Sequence, residues 1–304
     1  MPTIINHPSV FYHNFYRSKS QQDHDEAGAN QRASTCKRCC TISNKHRTRR
    51  GTYWRLAYTA ALVSGETEVM LVNGFFNQSD ALRAAAQILD SGKTLNTIFV
   101  SYGDPDFYFG LETLTQIFPH AKIMATSDTI AHIEKTHAGK LSYWSPKMGN
   151  NAPKKVIMPQ PIQANQLRVD GESIEVRGEG EKTYLWIPSA KAVVGGIPVF
   201  AGMHLWMADD PTPADWAVWQ QSLQGIQALK PAFVLAGHST ADAATTLTSV
   251  DFSQTYLNQY AKANATSKTG AALAKKMQAL YPDLAGTANL EMGAKVVKGE
   301  MQWP

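Results

Sequence analysis

Tyr102, Asp104 and Asp106 occupy alternate positions in the stretch TIFVSYGDPDFYFG, residues 97–110. In an extended segment side chains repeat every two residues, so these three groups would face one side. Two carboxylates there suit a hard cation, which takes oxygen ligands, or acid–base work. Asp-Pro-Asp is equally ordinary turn chemistry, and the spacing alone does not choose. His238 is the other candidate, closing the run PAFVLAGH at residues 231–238. His204, in GMHLW, stands beside Trp206 and reads either as a site residue or as a buried, hydrogen-bonded histidine.

The elements around these residues are those that place ligands in α/β proteins. Ile98, Phe99 and Val100 form a short apolar run, as a buried parallel strand does, and a helical pattern of Phe107, Leu111 and Leu114 follows the acidic loop. Residues 231–237 are again a buried strand, and ligands gather beyond the carboxyl ends of such strands. Upstream, residues 59–63 and 68–73 read as a β-hairpin, and residues 79–89 as a helix capped by Ser79 or Asp80 with Leu82, Ala85, Ala86 and Leu89 inward. Residues 121–126 form a strand, and Ser127 caps a helix to about Lys140. On that helix His132 and His137 are five residues apart, share no face well, and read as surface or packing histidines. Residues 143–165, rich in Pro, Asn and Lys, read as an irregular insertion of the kind that covers active sites. Asp170-Gly171 marks a second hairpin. Helices follow at residues 215–229 and 251–284.

The bulk properties narrow the class. The chain has 304 residues, 43% hydrophobic and 10% aromatic, enough for a sizeable core. Its net charge of +4 is misleading, because residues 1–50 hold nine of the 29 basic residues and three of the 25 acidic ones. The remainder carries a small negative charge, so the basic character belongs to the first 50 residues and says little about the ligands of the folded part. No run of 18 apolar residues and no charged start before an apolar stretch is present, so a membrane span and a secretory signal are not expected, and a cytoplasmic protein fits. The three cysteines, Cys36, Cys39 and Cys40, lie together near the start. With His46 they suggest a zinc knuckle, but no second well-spaced pair completes it. Residues 1–57 therefore read as a basic, poorly structured extension, with Phe11, Tyr12, Phe15 and Tyr16 able to dock on a surface. Residues 58–304 read as one folded domain. No phosphate loop, dinucleotide fingerprint or internal repeat is present.

The acidic stretch resembles the T-H-x-H-x-D-H motif of the metallo-β-lactamase-fold hydrolases. In that alignment Ser101 takes the Thr place, Tyr102 the first His, Asp104 the second His, Asp106 the Asp and Phe107 the last His. Gly110 matches the Gly that opens the next helix. Leu71-Val72-Asn73-Gly74 is similar to the family's L-V-D-x-G, and Gly237-His238 matches its last metal-binding His. The loop of the family's P-G-H-T is here Gly178-Glu179-Gly180-Glu181, and Ile197 stands where a bridging Asp follows Gly196. The resemblance spans residues 58–304 and implies a four-layer αββα sandwich with a rebuilt or lost metal site.

For function the resemblance implies a hydrolase with a small-molecule substrate. Asp104, Asp106 and His238 are the expected metal ligands, and their oxygen-rich set favours calcium, magnesium or manganese over a zinc pair. Asp106 and His238 would activate water, with Tyr102 donating to the oxyanion. Phe107, Tyr108, Trp144, His204 and Trp206 would line an apolar pocket suited to an ester or lactone, an acyl-homoserine lactone and hence quorum quenching being one instance. A binding protein on a catalytically dead fold is the alternative, no nucleic-acid or membrane partner is expected, and homo-oligomerisation is left open.

Overall fold

The structure, a computed structural model, describes residues 39–43, 57–240 and 242–303. Cys36, His46 and the aromatic residues Phe11, Tyr12, Phe15 and Tyr16 lie outside these. The first half runs β1 (Cys39–Ser43), β2 (Thr59–Ser64), β3 (Glu68–Val72), α1 (Gln78–Asp90), β4 (Thr94–Phe99), α2 (Pro105–Tyr108), α3 (Leu111–Ile117), β5 (Lys122–Ala125), α4 (Ser127–Met148) and β6 (Gln160–Pro161). The second half runs β7 (Gln166–Val169), β8 (Glu172–Glu179), β9 (Lys182–Ile187), β10 (Ala192–Val194), β11 (Phe200–Ala201), α5 (Pro213–Leu229), β12 (Phe233–Val234) and β13 (His238–Ser239). Three helices close the chain: α6 (Leu247–Ala265), α7 (Gly270–Leu280) and α8 (Thr287–Val297).

Strands β1 to β6 form one six-stranded sheet in chain order, and a five-stranded sheet has the order β12-β10-β9-β8-β7. Each strand divides its side chains between two layers, as the pleat requires. Met70 and Val72 of β3 join Leu185 and Ile187 of β9 in a core between the sheets, whereas Val69 and Leu71 face α1, Ala84 and Ile88 on the outer side. On the second sheet Tyr184 and Trp186 face outward into the same core cluster as Trp219 and Leu223 of α5. Helix, sheet, sheet, helix is the four-layer sandwich expected from the resemblance.

Three expectations need correction. Residues 1–57 read from sequence as a poorly structured extension, yet β1 pairs antiparallel with β2 from Cys39↔Val63 to Ser43↔Thr59. The free edge of β2 offers unpaired backbone groups, and an adjacent segment carrying β-branched Thr41 and Ile42 satisfies them. Helix α1 is capped by Asn77, and it buries Ala81, Ala84, Ala85 and Ile88 while Leu82 and Leu89 are exposed. Small alanines let the helix approach the sheet closely, so its inward face is not the one with the largest residues. Helix α4 continues to Met148 through Pro146, where an irregular insertion was expected from residue 143. Its inward stripe of Ile133, Thr136, Lys140 and Trp144 keeps helical spacing past Lys140.

Candidate active site

The acidic loop does not stay extended. Pro105 opens α2, where its fixed φ and missing N–H are tolerated, so Asp104 is the cap residue and Asp106 sits in the first turn. The two carboxylates consequently turn to different partners. Asp106 Oδ2 meets His238 Nε2 at 2.8 Å, whereas Asp104 Oδ1 meets Lys140 Nζ at 2.8 Å.

The Asp106–His238 pair joins the two halves of the chain. His238 begins β13, which pairs in parallel with β11, so Phe200 lies directly beside it in register. The Phe200 ring stacks on the imidazole at 4.8 Å and 7°, and Phe107 packs at 5.6 Å. Because an ionised carboxylate only accepts, His238 donates from Nε2, and in the neutral ring Nδ1 then carries a lone pair. That Nδ1 is buried and has no hydrogen-bond partner among the described residues.

A second cluster surrounds Lys140, whose side chain is fully buried. Its ammonium contacts Asp104 Oδ1 at 2.8 Å, His132 Nε2 at 3.0 Å and Asp209 Oδ1 at 3.5 Å, one partner for each of its three protons. His132 Nδ1 lies 2.5 Å from Glu181 Oε2, so it donates there and presents the Nε2 lone pair to the ammonium. Burial alone would pull the Lys140 pKa down, but Asp104 and then Asp209 more than reverse this and hold it above the ordinary lysine range. Burial, with the neighbouring Asp209 charge, pushes the Asp104 carboxyl up to about 7. Trp206 donates its indole N–H to Asp209 Oδ2.

Lys182 is a second buried ammonium. It pairs with Asp210 at 2.7 Å, lies 3.4 Å from the Tyr102 hydroxyl, and sits over the Tyr102 and Trp219 rings at 4.8 and 4.9 Å. Burial pushes the Asp210 carboxyl up to about 6, the Lys182 charge opposing the rise.

A cavity of about 30 Å³ opens beside the dyad, room for one or two water molecules. Its apolar wall is Phe76, Trp144, Phe200, Trp206, Met292 and Trp303, and its polar groups are Asp104, Asp106, His238 and Asn289. Trp303 packs on Trp206 at 5.2 Å and on Tyr143 at 5.4 Å, and its indole N–H is buried without a partner among the described residues. Of the residues singled out from sequence, Asp104, Asp106, His238, Trp144 and Trp206 thus line the cavity. Tyr102, Phe107, Tyr108 and His204 do not, because they are packed in the core behind it. His204 shares a hydrogen bond with the Tyr256 hydroxyl at 2.9 Å, and burial lowers its pKa to about 4, as for a neutral core histidine.

The expected ligands Asp104, Asp106 and His238 do not form one group. Among the described residues the cluster with metal-type spacing is Asp104, His132 and Asp209, whose donor atoms lie within 4.8 Å of one another. The Lys140 ammonium stands among those donors, so they do not fit a metal ion as they are. The Asp106 and His238 donors are turned on each other. The arrangement supplies an imidazole, an indole donor and a buried ion set in which one ammonium faces two carboxylates.

His132, Lys140 and Lys182 were not expected in the site. The reading of His132 as a surface or packing residue is corrected by its contacts with Glu181 and Lys140. Gly103 makes the approach feasible, since a Cβ there would stand 2.6 Å from the His132 ring. Lys140 carried a usable signal, a lone lysine on the inward stripe Ile133, Thr136, Trp144. Lys182 carried a similar one, at the head of a strand that is otherwise apolar except for Thr183.

No protein-family model and no curated protein matches the chain. Solved structures do. A metallo-β-lactamase from Pontibacter korlensis is similar with a TM-score of 0.54 at 14% identity, covering 73% of this chain and 95% of that one. A metallo-β-lactamase family protein from Thermus thermophilus is similar with a TM-score of 0.57 at 14% identity, covering 86% of this chain and 91% of that one. A metallo-β-lactamase from Hirschia baltica gives 0.52 at 12% identity, over 66% and 86% of the two chains. The chain therefore has the metallo-β-lactamase fold.

Proposed function

We propose that this chain is a hydrolase of carboxylic esters or lactones that carry an apolar part, with the Asp106–His238 pair as its base. The observation that carries this reading is a pair of buried polar atoms on residues of one cavity with no partner among the described residues: His238 Nδ1 and the Trp303 indole N–H. Buried polar groups are nearly always satisfied, so such a pair calls for a ligand that both donates and accepts. Water and a carbonyl together meet that demand.

In the reaction His238 Nδ1 takes a proton from water as the oxygen adds to the carbonyl carbon. Asp106 holds the imidazole in the required tautomer and offsets the charge it gains. The Trp303 indole and the Asn289 amide can donate to the developing oxyanion. Collapse breaks the carbon–oxygen ester bond, and His238 returns its proton to the leaving alkoxide. An ester gives acid and alcohol, and a lactone gives one hydroxy acid. The aromatic wall offers apolar contacts to an acyl chain, for which the cavity must widen beyond its present one or two waters, and an acyl-homoserine lactone is the particular substrate this reading offers, with quorum quenching as its consequence.

A second reading, a small-molecule binding protein, is favoured by Lys140, which stands among the Asp104, His132 and Asp209 donors where a catalytic metal would otherwise sit. A panel of activated esters and lactones of graded chain length, with and without chelator, separates the two. Hydrolysis that survives chelator and disappears in His238→Ala supports the first reading. No turnover by the wild type, together with saturable binding of an intact ester, establishes the second.

A further inference from the structure

We infer that the Lys140 ammonium is the resident ion of a coordination site formed by Asp104, His132 and Asp209, and that shortening Lys140 turns this site into one for a divalent cation. The inference does not depend on the hydrolase reading, because Lys140 and His132 do not line the cavity.

The cluster is arranged as metal sites are, apart from the identity of its ion. A metal-bound histidine presents a neutral ring nitrogen to the ion and donates its other N–H to a carboxylate, which fixes the tautomer. His132 does both, with Nε2 3.0 Å from Lys140 Nζ and Nδ1 2.5 Å from Glu181 Oε2. A protonated His132 would aim an N–H at the ammonium, so the geometry requires the neutral ring. The carboxylates complete the set at 2.8 Å for Asp104 and 3.5 Å for Asp209. Asp209 is itself oriented by the Trp206 indole, an outer hydrogen bond of the kind that steadies metal-bound carboxylates.

The dimensions agree with both occupants. Two donors 4.8 Å apart share an ion at no less than about 2.4 Å each, a calcium-like distance, so the widest pair must close by several tenths of an ångström to hold cobalt or zinc at about 2.0–2.2 Å, a spacing that His132 Nε2 and Asp209 Oδ1, 3.9 Å apart, already allow. An ammonium fits less tightly, at hydrogen-bond distances. The ammonium arrives on the side chain of α4, fully buried, and its single positive charge offsets one of the two carboxylates, while the Trp206 indole N–H gives Asp209 a further donor. One histidine and two carboxylates favour manganese, cobalt or zinc over calcium, which seldom takes nitrogen.

The test uses the full chain and its Lys140→Ala variant. Wild type dialysed against chelator should contain less than one-tenth equivalent of divalent metal and keep its melting temperature. K140A should bind one equivalent of cobalt or zinc at least tenfold more tightly than wild type by titration calorimetry. Its melting temperature should fall without ion and recover by several degrees with it, and bound cobalt should show a ligand-field absorption band. Adding Asp104→Asn to K140A should abolish that gain. The inference fails if the wild type holds a stoichiometric ion whose removal lowers its melting temperature. It fails equally if K140A folds and binds ions no better than wild type, or remains unfolded in the presence of every ion tried.

Discussion

Two polar clusters lie a few residues apart along one loop and differ in what they leave undone. Around Lys140 each proton of the ammonium has a partner, and His132 uses both of its nitrogens. Around His238 one nitrogen is engaged by Asp106 and the other is bare, on the wall of a cavity. A fully paired buried network holds a structure in place, whereas an incomplete one beside a space is where a reactant can complete it. The divergence begins at Pro105, where a helix starts between two aspartates.

The comparison is broken most severely at His238. On the substrate that the ester and lactone panel identifies, His238→Ala is expected to lower kcat about 100- to 10,000-fold, the range for losing a general base. Its melting temperature should fall as well, because the ring's place between Phe200 and Phe107 empties and Asp106 is left buried without its partner, so kcat is read per folded molecule. Lys140→Ala is the opposite case. Two buried carboxylates lose their cation, and denaturant unfolding without added ion should show a loss of about 3–5 kcal/mol. Turnover per folded molecule should fall far less than in His238→Ala; an equal fall would merge the two clusters into one machine.

Gly103→Ala sharpens the contrast from the packing side. Its Cβ would meet the His132 ring at 2.6 Å, so the ring must shift away from Lys140. Overpacking of this kind costs about 1–3 kcal/mol, measurable by urea titration. Trp303→Phe keeps most of the ring and removes the N–H, and kcat/KM should fall about 3- to 10-fold, the worth of one neutral hydrogen bond.

The smallest effect is a slope. The Asp210 carboxyl is raised to about 6 from an ordinary 3.8. Its protonated form is therefore favoured in the folded chain, and the stability it contributes is complete below about pH 4 and is lost as pH rises through about 6. Asp210→Asn should flatten the decline of melting temperature between about pH 4 and 6 and leave its slope above about pH 7 unchanged.

Much of the sandwich was legible in the sequence because its strands are short apolar runs ended by turn residues. Glu68–Val72, Thr94–Phe99 and the Asp170-Gly171 hairpin are of this kind. The meeting of Asp106 with His238 was legible too, since each follows a buried strand and such ends gather in this architecture. The identity of the second cluster was not. An unpaired lysine in a sequence reads as solvent-facing, and its three partners come from Asp104, His132 and Asp209, brought together only by the fold. The inward stripe of α4 held a clue in Lys140, but a pattern cannot say which charges wait opposite. The edge strand β1 was missed because five residues within a polar, basic stretch give no periodicity of their own; their place is fixed by the partner β2.

That edge strand has a consequence for how copies of this molecule meet. The six-stranded sheet ends on one side at β6, two exposed residues of which one is proline and cannot donate a hydrogen bond. On the other side the backbone of β2, from Thr59 to Val63, is covered by Cys39–Ser43. A chain without residues 39–43 would lose that cover and present a buried apolar strand with a bare backbone edge. Such an edge recruits the nearest free strand, and the nearest is the same edge of another copy. Loss of β1 would thus favour the pairing of two copies edge to edge through β2.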